Sequence, residues 1–391
     1  MPNPIYFDRR KQTTATTGTG ALTLAVPSGP WSKLNTAGVA TITISYCIAH
    51  QTASDWETGV GTIDSTSTTL TRTAAVDGSA GAGALVNFSA GNKDVFITPI
   101  AANVGRVNPA TCNGRLTLVS GNAVPDTASG TTIYFTPYQG CQIAIPEPSY
   151  GTGQWKLFDF TELSLSLATA SGGVGSDIFI YDNAGVLTLG LQTWLSGSAR
   201  TTAINYLDGI PFVGAASAGK RYLGSIYCAS TGTTVDSPKQ RWVWNYANQV
   251  GRRMINSPQT GQWSLTGTLS WRGQNSDATK ARAVEFMIGL GPFVPVQVLG
   301  SVYVGLVSGQ YVNYGLTLDG TGQPSTLDPL SMVECALAGS AVQVAEYNQM
   351  PAVGYHYLQP VEAVSSGSGS STWYDYIAAR FVGGLNGTIW A

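Results

Sequence analysis

The sequence predicts an all-β protein made of several antiparallel β-sandwich or jelly-roll-like domains in series. Three observations predict this fold class. Short runs of β-branched and aromatic residues alternate with polar ones at a period of two, as in DVFITP (94–99) and TIYFTP (132–137). Gly, Asn, Asp and Ser bound these runs, which recur roughly every 8–12 residues in much of the chain. Helix signals are scarce.

The predicted strands follow one another along the whole chain. They are residues 21–26, 39–46, 67–73, 94–99, 115–119, 132–137, 162–168, 177–182, 186–191, 263–271, 302–307, 354–361 and 388–391. A turn or two of helix is compatible with the sequence at Pro238–Gly251 and Thr279–Ile288 only. The prediction is therefore a strand-rich chain with few, short helices.

One uncharged stretch, Ile288–Val307, has about the length of a membrane-spanning helix. Two prolines and four glycines argue against a helix there, because proline removes a backbone donor and glycine disfavours helix. The alternation of valines through it is that of strands. We therefore expect two buried strands joined near Gly300, and no membrane insertion.

Charge is the unusual property of the composition. Charged residues make up 11% of the chain, against about a quarter in an ordinary soluble domain. Hydrophobic residues make up 43%, which excludes wholesale disorder. The formal net charge of −2 gives no global reason to expect nucleic acid or an anionic membrane as partner. Such a chain stays soluble through hydroxyl groups and backbone, or by burying surface against other subunits.

The five cysteines are dispersed, and with two histidines they form none of the usual zinc spacings. We expect buried free thiols from a reducing cytoplasm, with pairing of Cys112 and Cys141 as the alternative. The N-terminal residues lack the apolar core of a signal peptide. No metal and no cofactor is expected.

Shifts in composition predict three domains. They are a Thr-, Gly- and Ala-rich domain at 1–108, a denser set of strands at 109–253, and a third domain at 254–391 with the longest apolar runs.

Several segments of the first domain resemble a domain near the N-terminus of structural proteins from tailed-bacteriophage virions. They are TTGTG (16–20), WETGVGTI (56–63), TLTRT (69–73) and LVNFSAGNKDVFIT (85–98). The last segment predicts a hairpin that turns at Gly91–Asn92. The pair Gly59 and Gly61 predicts a strand that a neighbouring backbone approaches closely.

The resemblance covers residues 8–100 best, 111–253 less well and the remainder weakly. In the middle it is carried by CNGRLTLVSGNAVP (112–125), DIFIYDNAGVLTL (177–189) and RYLGSIYC (221–228) with DSPKQRWVWNYANQV (236–250), and at the end by GYHYLQPVEA (354–363) and LNGTIWA (385–391). Such proteins are commonly homotrimers, fixed to the particle by one domain and presenting another outward. The resemblance thus implies that the first domain, 1–108, anchors the protein to the virion and that the last, 254–391, is a jelly-roll-like β-sandwich.

No catalytic apparatus is recognisable. Gly214–Lys220 matches seven positions of a phosphate-binding loop, but Arg221 stands where a hydroxyl must hold Mg²⁺ and a strand follows. His356, between two tyrosines on a predicted strand, is expected to be packed or at a rim; an interface titrating with pH is the alternative. The pairs Asp55 with Glu57 and Asp159 with Glu162 could space two carboxyls for glycoside hydrolysis, although turn capping is the plainer interpretation.

Lys239–Arg253 combines cations with Trp242, Trp244 and Tyr246, a pattern that can bind single-stranded nucleic acid. We prefer a buried aromatic stripe at a subunit or domain junction, because the three aromatics share one strand face. Another aromatic set, Trp373, Tyr374 and Tyr376, is our candidate for a surface-binding loop.

The expected function is that of a non-enzymatic virion protein, a trimeric subunit of tail-fibre type assembled in the host cytoplasm. Its partners would be copies of itself, other virion proteins, and a host-surface glycan or protein met by the C-terminal domain; nucleic acid is not expected. A capsid decoration or head-fibre protein is the first alternative. A polysaccharide depolymerase is the second.

Overall fold

The computed structural model divides into two compact units, Met1–Arg106 and Val107–Ala391. It describes residues 9–35, 40–99, 107–146, 155–213, 219–267, 269–291, 295–306, 310–324, 331–335, 339–366, 369–378 and 380–391. The all-β prediction is confirmed, since the one helix in these ranges is a single 3₁₀ turn at Gln274–Ser276.

The first unit is one antiparallel six-stranded sheet with the order β1-β6-β3-β4-β5-β2. Its strands are β1 (Lys11–Thr14), β2 (Leu22–Thr23), β3 (Ile42–His50), β4 (Trp56–Ile63), β5 (Thr69–Gly78) and β6 (Lys93–Ile97). The sheet curls toward closure, because the Ala25 N–H, just after β2, donates to the Thr13 carbonyl oxygen of β1 at 2.8 Å.

Inside this curl, aliphatic side chains from alternate positions form the core with Phe88. The expected close approach at β4 is confirmed. A Cβ on Gly59 would lie 2.5 Å from the Ala74 oxygen, and one on Gly61 2.5 Å from the Thr71 oxygen. Only glycine fits under such a backbone.

The expected hairpin at Gly91–Asn92 is wrong. Residues 85–91 form no ladder; Phe88 makes an isolated bridge to Gly18 and packs its ring into the core. β6 instead pairs with β1 and β3. The Gly91–Asn92 pattern reports only local turn preference. Burial of Phe88 and pairing of β6 with the distant strands β1 and β3 stabilise a different arrangement.

The second unit contains twenty-seven strands in its described residues. They are β7 (Gly114–Thr117), β8 (Ala128–Gly130), β9 (Thr132–Pro137), β10 (Gln142–Pro146), β11 (Trp155–Asp159), β12 (Leu163–Ser166), β13 (Val174–Asn183), β14 (Val186–Thr193), β15 (Asn205–Leu207), β16 (Ile210–Val213), β17 (Lys220–Ser230), β18 (Thr233–Ser237), β19 (Gln240–Arg241), β20 (Val243–Asn245), β21 (Gly251–Asn256), β22 (Gln262–Thr266), β23 (Leu269–Gly273), β24 (Val284–Ile288), β25 (Val296–Leu306), β26 (Gln310–Leu318), β27 (Ser331–Cys335), β28 (Gly339–Gln349), β29 (Gly354–Ser366), β30 (Ser370–Tyr374), β31 (Tyr376–Ile377), β32 (Phe381–Val382) and β33 (Gly384–Trp390).

Two large sheets organise these strands. One has fourteen strands, nine of them along the path β14-β13-β17-β18-β19-β24-β29-β26-β27, with β8, β15, β16, β20 and β23 paired beside it. The other has six, β21-β33-β25-β30-β22 with β28 beside β25. Nearly all the described pairs are antiparallel; β19 and β24 run parallel. Small sheets β7–β9–β12, β10–β11 and β31–β32 complete the unit.

The two large sheets pack as a sandwich over one hydrophobic cluster. The six-stranded sheet contributes Val298, Val302 and Trp373, and the larger sheet contributes Tyr314 and Leu358, all essentially inaccessible to solvent. Burial of this apolar surface is the main stabilising term for the C-terminal half of the unit. A second cluster, around Leu116, Phe135 and Ile226, fills the N-terminal half.

Two expectations about local structure are wrong. The permitted helical turns at Pro238–Gly251 and Thr279–Ile288 are strands and turns. The expected break at Gly300 does not exist, because β25 runs unbroken through it. A Cβ on Gly300 would lie 2.6 Å from the Tyr314 hydroxyl, so this glycine permits close packing of the two sheets rather than a turn.

The predicted boundary near Asn108 lies two residues from the division between the units. The predicted boundary between Arg253 and Met254 falls inside β21, which pairs with β33 at the end of the chain. The pairing of β19 with β24 also joins the two predicted domains in one sheet. Residues 107–391 therefore form one compact unit, because strand pairing crosses the change in composition.

A glycine in this unit provides a stability test. A Cβ on Gly224 in β17 would lie 2.0 Å from the Trp244 carbonyl oxygen and 2.8 Å from Leu116, whereas Gly197 has open space around it. We expect Gly224→Ala to lower the free energy of unfolding by about 1–3 kcal/mol through overpacking. Gly197→Ala should change the free energy of unfolding by less than about 1 kcal/mol. Urea unfolding followed by tryptophan fluorescence measures both, and equal effects would contradict the packing described here.

Candidate functional site

The most distinctive surface of the second unit is the outward side of the six-stranded sheet. In β25 the even-numbered valines point into the sandwich, and Gln297, Leu299 and Tyr303 point out. Directly paired residues share a face, so β28 adds Val342 opposite Tyr303 and Val344 opposite Ser301. β30 adds Tyr374, also opposite Tyr303. We call this surface, with Trp390 of β33, the apolar sheet face.

Four of its members are exposed although they are large and apolar, and Tyr303 and Tyr374 are half-buried. Leu299 is 48% exposed, Val342 50%, Val344 44% and Trp390 45%. Among the outward positions of the six strands, the structure describes two charged residues, Glu346 and Arg253. The remaining outward positions carry hydroxyl, amide and small side chains, apart from half-buried Ile255 of β21.

Residues 342–344 of β28 invert the usual pattern of a sandwich, whereas residues 345–348 keep it, with Ala345 and Tyr347 buried. Gln343 points into the protein with no solvent exposure, while its neighbours Val342 and Val344 point outward. A strand that faces water permanently would place the valines inside and the glutamine outside. The arrangement is typical of a surface that another protein surface covers.

Tyrosines give the apolar sheet face rigid aromatic area. The Tyr303 ring packs edge-on against Tyr374 at 5.7 Å and lies 6.0 Å from Phe381. Its hydroxyl contacts Ser340 at 2.6 Å across the strand pair. Such rings contribute much contact area at little cost in side-chain entropy.

The predicted binding loop Trp373, Tyr374 and Tyr376 requires correction. These residues lie on β30 and β31, and Trp373 is fully buried in the core, where it stacks on Trp263 at 6.4 Å. Alternation along the strand turns Tyr374 outward, onto the apolar sheet face. Tyr376 is half-buried in the small sheet β31–β32. One of the three therefore belongs to the candidate site.

The aromatic stripe Trp242, Trp244 and Tyr246 lies inside the second unit. The Trp244 indole donates to the Leu290 oxygen at 2.7 Å, and the Trp242 ring packs edge-on near Tyr355. These contacts join residues on the two sides of the predicted domain boundary. The alternate residues Arg241, Val243 and Asn245 are buried as well, because strands cover both faces.

Nucleic-acid binding by Lys239–Arg253 is not favoured, since two of its arginines face inward. Arg241 pairs with Asp236 at 3.0 Å and Asp126 at 3.2 Å, and Arg252 pairs with Asp236 at 2.9 Å. Burial raises the pKa of the Asp236 carboxyl, although both arginines act to lower it. These cations hold β18, β19 and β21 together and offer nothing to a phosphate.

The candidate carboxylates have structural partners. Glu57 is fully buried, pairs with Arg72 at 2.9 Å and accepts from the Tyr46 hydroxyl at 2.7 Å. Asp55 accepts from the Ser89 backbone and hydroxyl. Such roles need no substrate.

The pair Asp159 and Glu162 is no better suited to catalysis. Glu162 caps a turn by accepting from the Gly121 N–H, Ser120 and Thr136, and these hydrogen bonds lower its pKa although burial alone would raise it. A general acid for glycoside hydrolysis needs a raised pKa. Asp159 accepts from the Gln142 amide.

Asp277 is a second capping carboxylate, and its pKa makes a prediction. Burial raises the pKa, but hydrogen bonds from Gln359, Arg282 N–H and Thr279 outweigh it and lower the pKa to about 2. The stabilisation is complete above the unfolded pKa near 4 and is lost as the pH falls toward 2. After discounting for solvent screening, we expect Asp277→Asn to lower the free energy of unfolding by about 1 kcal/mol at pH 6 and by almost nothing at pH 2. Urea unfolding at both values checks this; an equal cost would contradict it.

The remaining motifs yield no site. His356 is buried, with Nδ1 2.7 Å from Asp319 and Nε2 2.8 Å from the Ala352 oxygen. Residues 214–218 of the phosphate-loop match lie outside the described residues. Within the described ranges, no three His, Cys, Asp or Glu side chains gather to hold a metal ion. No helix there has the length and apolar character needed to cross a membrane.

The cysteines described by the structure are free thiols, and the alternative pairing of Cys112 with Cys141 is wrong. Cys112 and Cys228 are buried as expected, and burial raises the pKa of the Cys228 thiol to about 11. Cys141 is exposed and Cys47 partly so, which the sequence did not reveal.

Comparisons with known proteins do not extend this picture. No protein-family model matches the chain, and no curated protein matches it significantly. A Bacillus thuringiensis Cry1Da tryptic core is 9% identical, with 96% of this chain and 59% of the toxin chain covered and a TM-score of 0.19. A protein of infectious bursal disease virus, Gx strain, is 12% identical over all of this chain and 74% of its own, with a TM-score of 0.25. Scores this low establish no shared topology.

Proposed function

We propose that the chain is a non-enzymatic structural subunit of a tailed-bacteriophage virion, a trimeric appendage protein of tail-fibre type. The second unit assembles with two further copies through the apolar sheet face, and the first unit attaches to the particle. The sequence resemblance supports the oligomer number and the particle, and the geometry of the apolar sheet face supports the choice of assembly surface.

The observation that carries this proposal is the inverted pattern at residues 342–344 of β28. Two exposed valines flank a buried glutamine there, and they lie beside exposed Leu299 and half-buried Tyr303. Joining copies removes this apolar area from water at about 25 cal/mol per Å². It also explains how a chain with so few charged residues stays soluble, because the surface least suited to water is covered.

The carboxylates argue for a structural role over hydrolysis. Glu57 and Glu162, one from each suggested pair, are fully occupied by hydrogen-bond donors and cations of the protein itself. No paired, accessible carboxyls with one raised pKa emerge from the described residues.

Immunogold electron microscopy of purified phage particles tests the proposal. An antibody against the chain should label the tail at a constant position, in particles freed of unassembled protein. Labelling of the capsid would support the decoration-protein alternative instead. Particles without label, from cells that contain the protein, would refute a virion role.

A further inference from the structure

Two charged residues of opposite sign lie at opposite edges of the apolar sheet face. Glu346 is on β28, which flanks β25 on one side, and Arg253 is on β21, beyond β33 on the other side. Both side chains are exposed, and neither has an ion-pair or hydrogen-bond partner in the part of the chain that the structure describes. No other charge points outward from the described residues of these strands. These two charges therefore decide how another copy can meet the face.

The strand register gives the separation of the two charges. Glu346 is in the row of paired residues that ends on β21 at Ile255, and Arg253 is two residues before Ile255 on that strand. The two residues are therefore three strand spacings, roughly 14 Å, apart across the sheet and about 7 Å apart along it. They are too far apart to pair within one chain. The offset along the strands is small enough for two long side chains to bridge it between chains.

An apolar side chain accompanies each charge. Val344, two residues from Glu346 on β28, is 44% exposed. At the other edge Trp390 is 45% exposed, and its ring lies 3.9 Å from the place of a Cβ on Gly251, two residues from Arg253. Each edge thus offers one unpaired charge with an apolar group beside it, and the two charges are complementary.

We propose that the β28 edge of one copy contacts the β21 edge of the next, with Glu346 paired to Arg253 of the partner subunit, and that three such contacts close a ring. This inference rests on the proposed trimer and assigns the contact within it. Rotation about an axis that runs along the strands brings opposite edges together at nearly the same height, and contacts of this kind form rings when the rotation closes. Contact between like edges would cover both charges without partners, which is unfavourable.

Reversal of the charges tests the contact. Glu346→Arg and Arg253→Glu each place like charges opposite one another, so each should weaken association about tenfold or more. The double variant Glu346→Arg with Arg253→Glu restores an opposite pair, and it should associate within about threefold of the unaltered chain. Sedimentation velocity over a dilution series measures association in all three. Circular dichroism verifies their fold, which should not change because both side chains are exposed.

Lys156→Glu is the matched control for charge reversal. Lys156 lies on β11, outside the apolar sheet face, and its side chain is 48% exposed with Asp182 3.7 Å away. An exposed pair of this kind contributes little to stability. The control variant should therefore associate as the unaltered chain does.

The inference is overturned if either single reversal associates as strongly as the unaltered chain, or if the double variant associates as weakly as the single ones. Either result in an unaltered chain that is a trimer would refute this contact and leave the proposed assembly. An unaltered chain that is a monomer or a dimer would refute the proposed trimer and the ring with it. A trimer that the single reversals weaken and the double variant restores would support the contact.

Discussion

Replacing Leu299 and Val344 together by lysine is expected to dissociate the proposed trimer into folded monomers. Both side chains point into solvent from the apolar sheet face, so each subunit tolerates the change. In an assembly the introduced ammonium groups would be buried without partners, which costs several kcal/mol. A penalty of about 3 kcal/mol weakens association roughly a hundredfold. Sedimentation velocity over a dilution series measures the shift.

The control for this variant is Val186→Lys. Val186 is 65% exposed, at the start of β14 in the other large sheet, so it adds a charge outside the apolar sheet face. The protein with this change should sediment as the unaltered protein does. If the Leu299 and Val344 variant also keeps the mass of the unaltered protein, the apolar sheet face is not the assembly surface.

Glu57→Ala is expected to destabilise the first unit by about 3–5 kcal/mol, the largest effect of any single substitution considered. It leaves the Arg72 guanidinium buried without its carboxylate, and it removes the acceptor of the Tyr46 hydroxyl and of the Val86 N–H. Burial and the neighbouring carboxylate raise the pKa of Tyr46, so the phenol is the donor of this contact. Thermal unfolding by circular dichroism should show loss of the first unit's transition.

The double variant Glu57→Gln with Arg72→Met tests the cause. It removes both charges and keeps side chains of similar volume, but it also removes the hydrogen bonds from Arg72 to the Gly18, Gly20 and Val86 oxygens. It should therefore recover a part, not all, of the stability that Glu57→Ala loses. If Glu57→Ala alone costs less than about 1 kcal/mol, the ion pair is not essential to this core.

Period-two patterning predicted thirteen strand segments, fewer than half of the thirty-three strands, and it succeeded where one face of a strand is buried. The same pattern could not tell which face is inside where both carry apolar residues. In β30 it is Trp373 that lies inside and Tyr374 outside, and nothing local distinguishes them. In β28 the pattern is inverted by Val342, Gln343 and Val344, and only the surrounding sheets reveal it.

Non-local contacts explain the other differences. A glycine inside an apolar run signals either a turn or a close approach, and Gly300 is the latter because Tyr314 packs over it. The structure has no domain boundary at Arg253, because β21, which contains this residue, pairs with β33 more than a hundred residues further along the chain. The sequence did not predict the buried ion pair between Glu57 and Arg72, which lie on the neighbouring strands β4 and β5. A charged residue in an alternating strand is normally exposed, and nothing local in the sequence indicates that these two are buried.

The central claim is that the apolar sheet face is covered by further copies of the chain. Multi-angle light scattering of the unaltered protein, eluted natively at micromolar concentration, tests it most directly. The account predicts a mass three times the 40.9 kDa of one chain. A homogeneous, stable species of 40.9 kDa would contradict it.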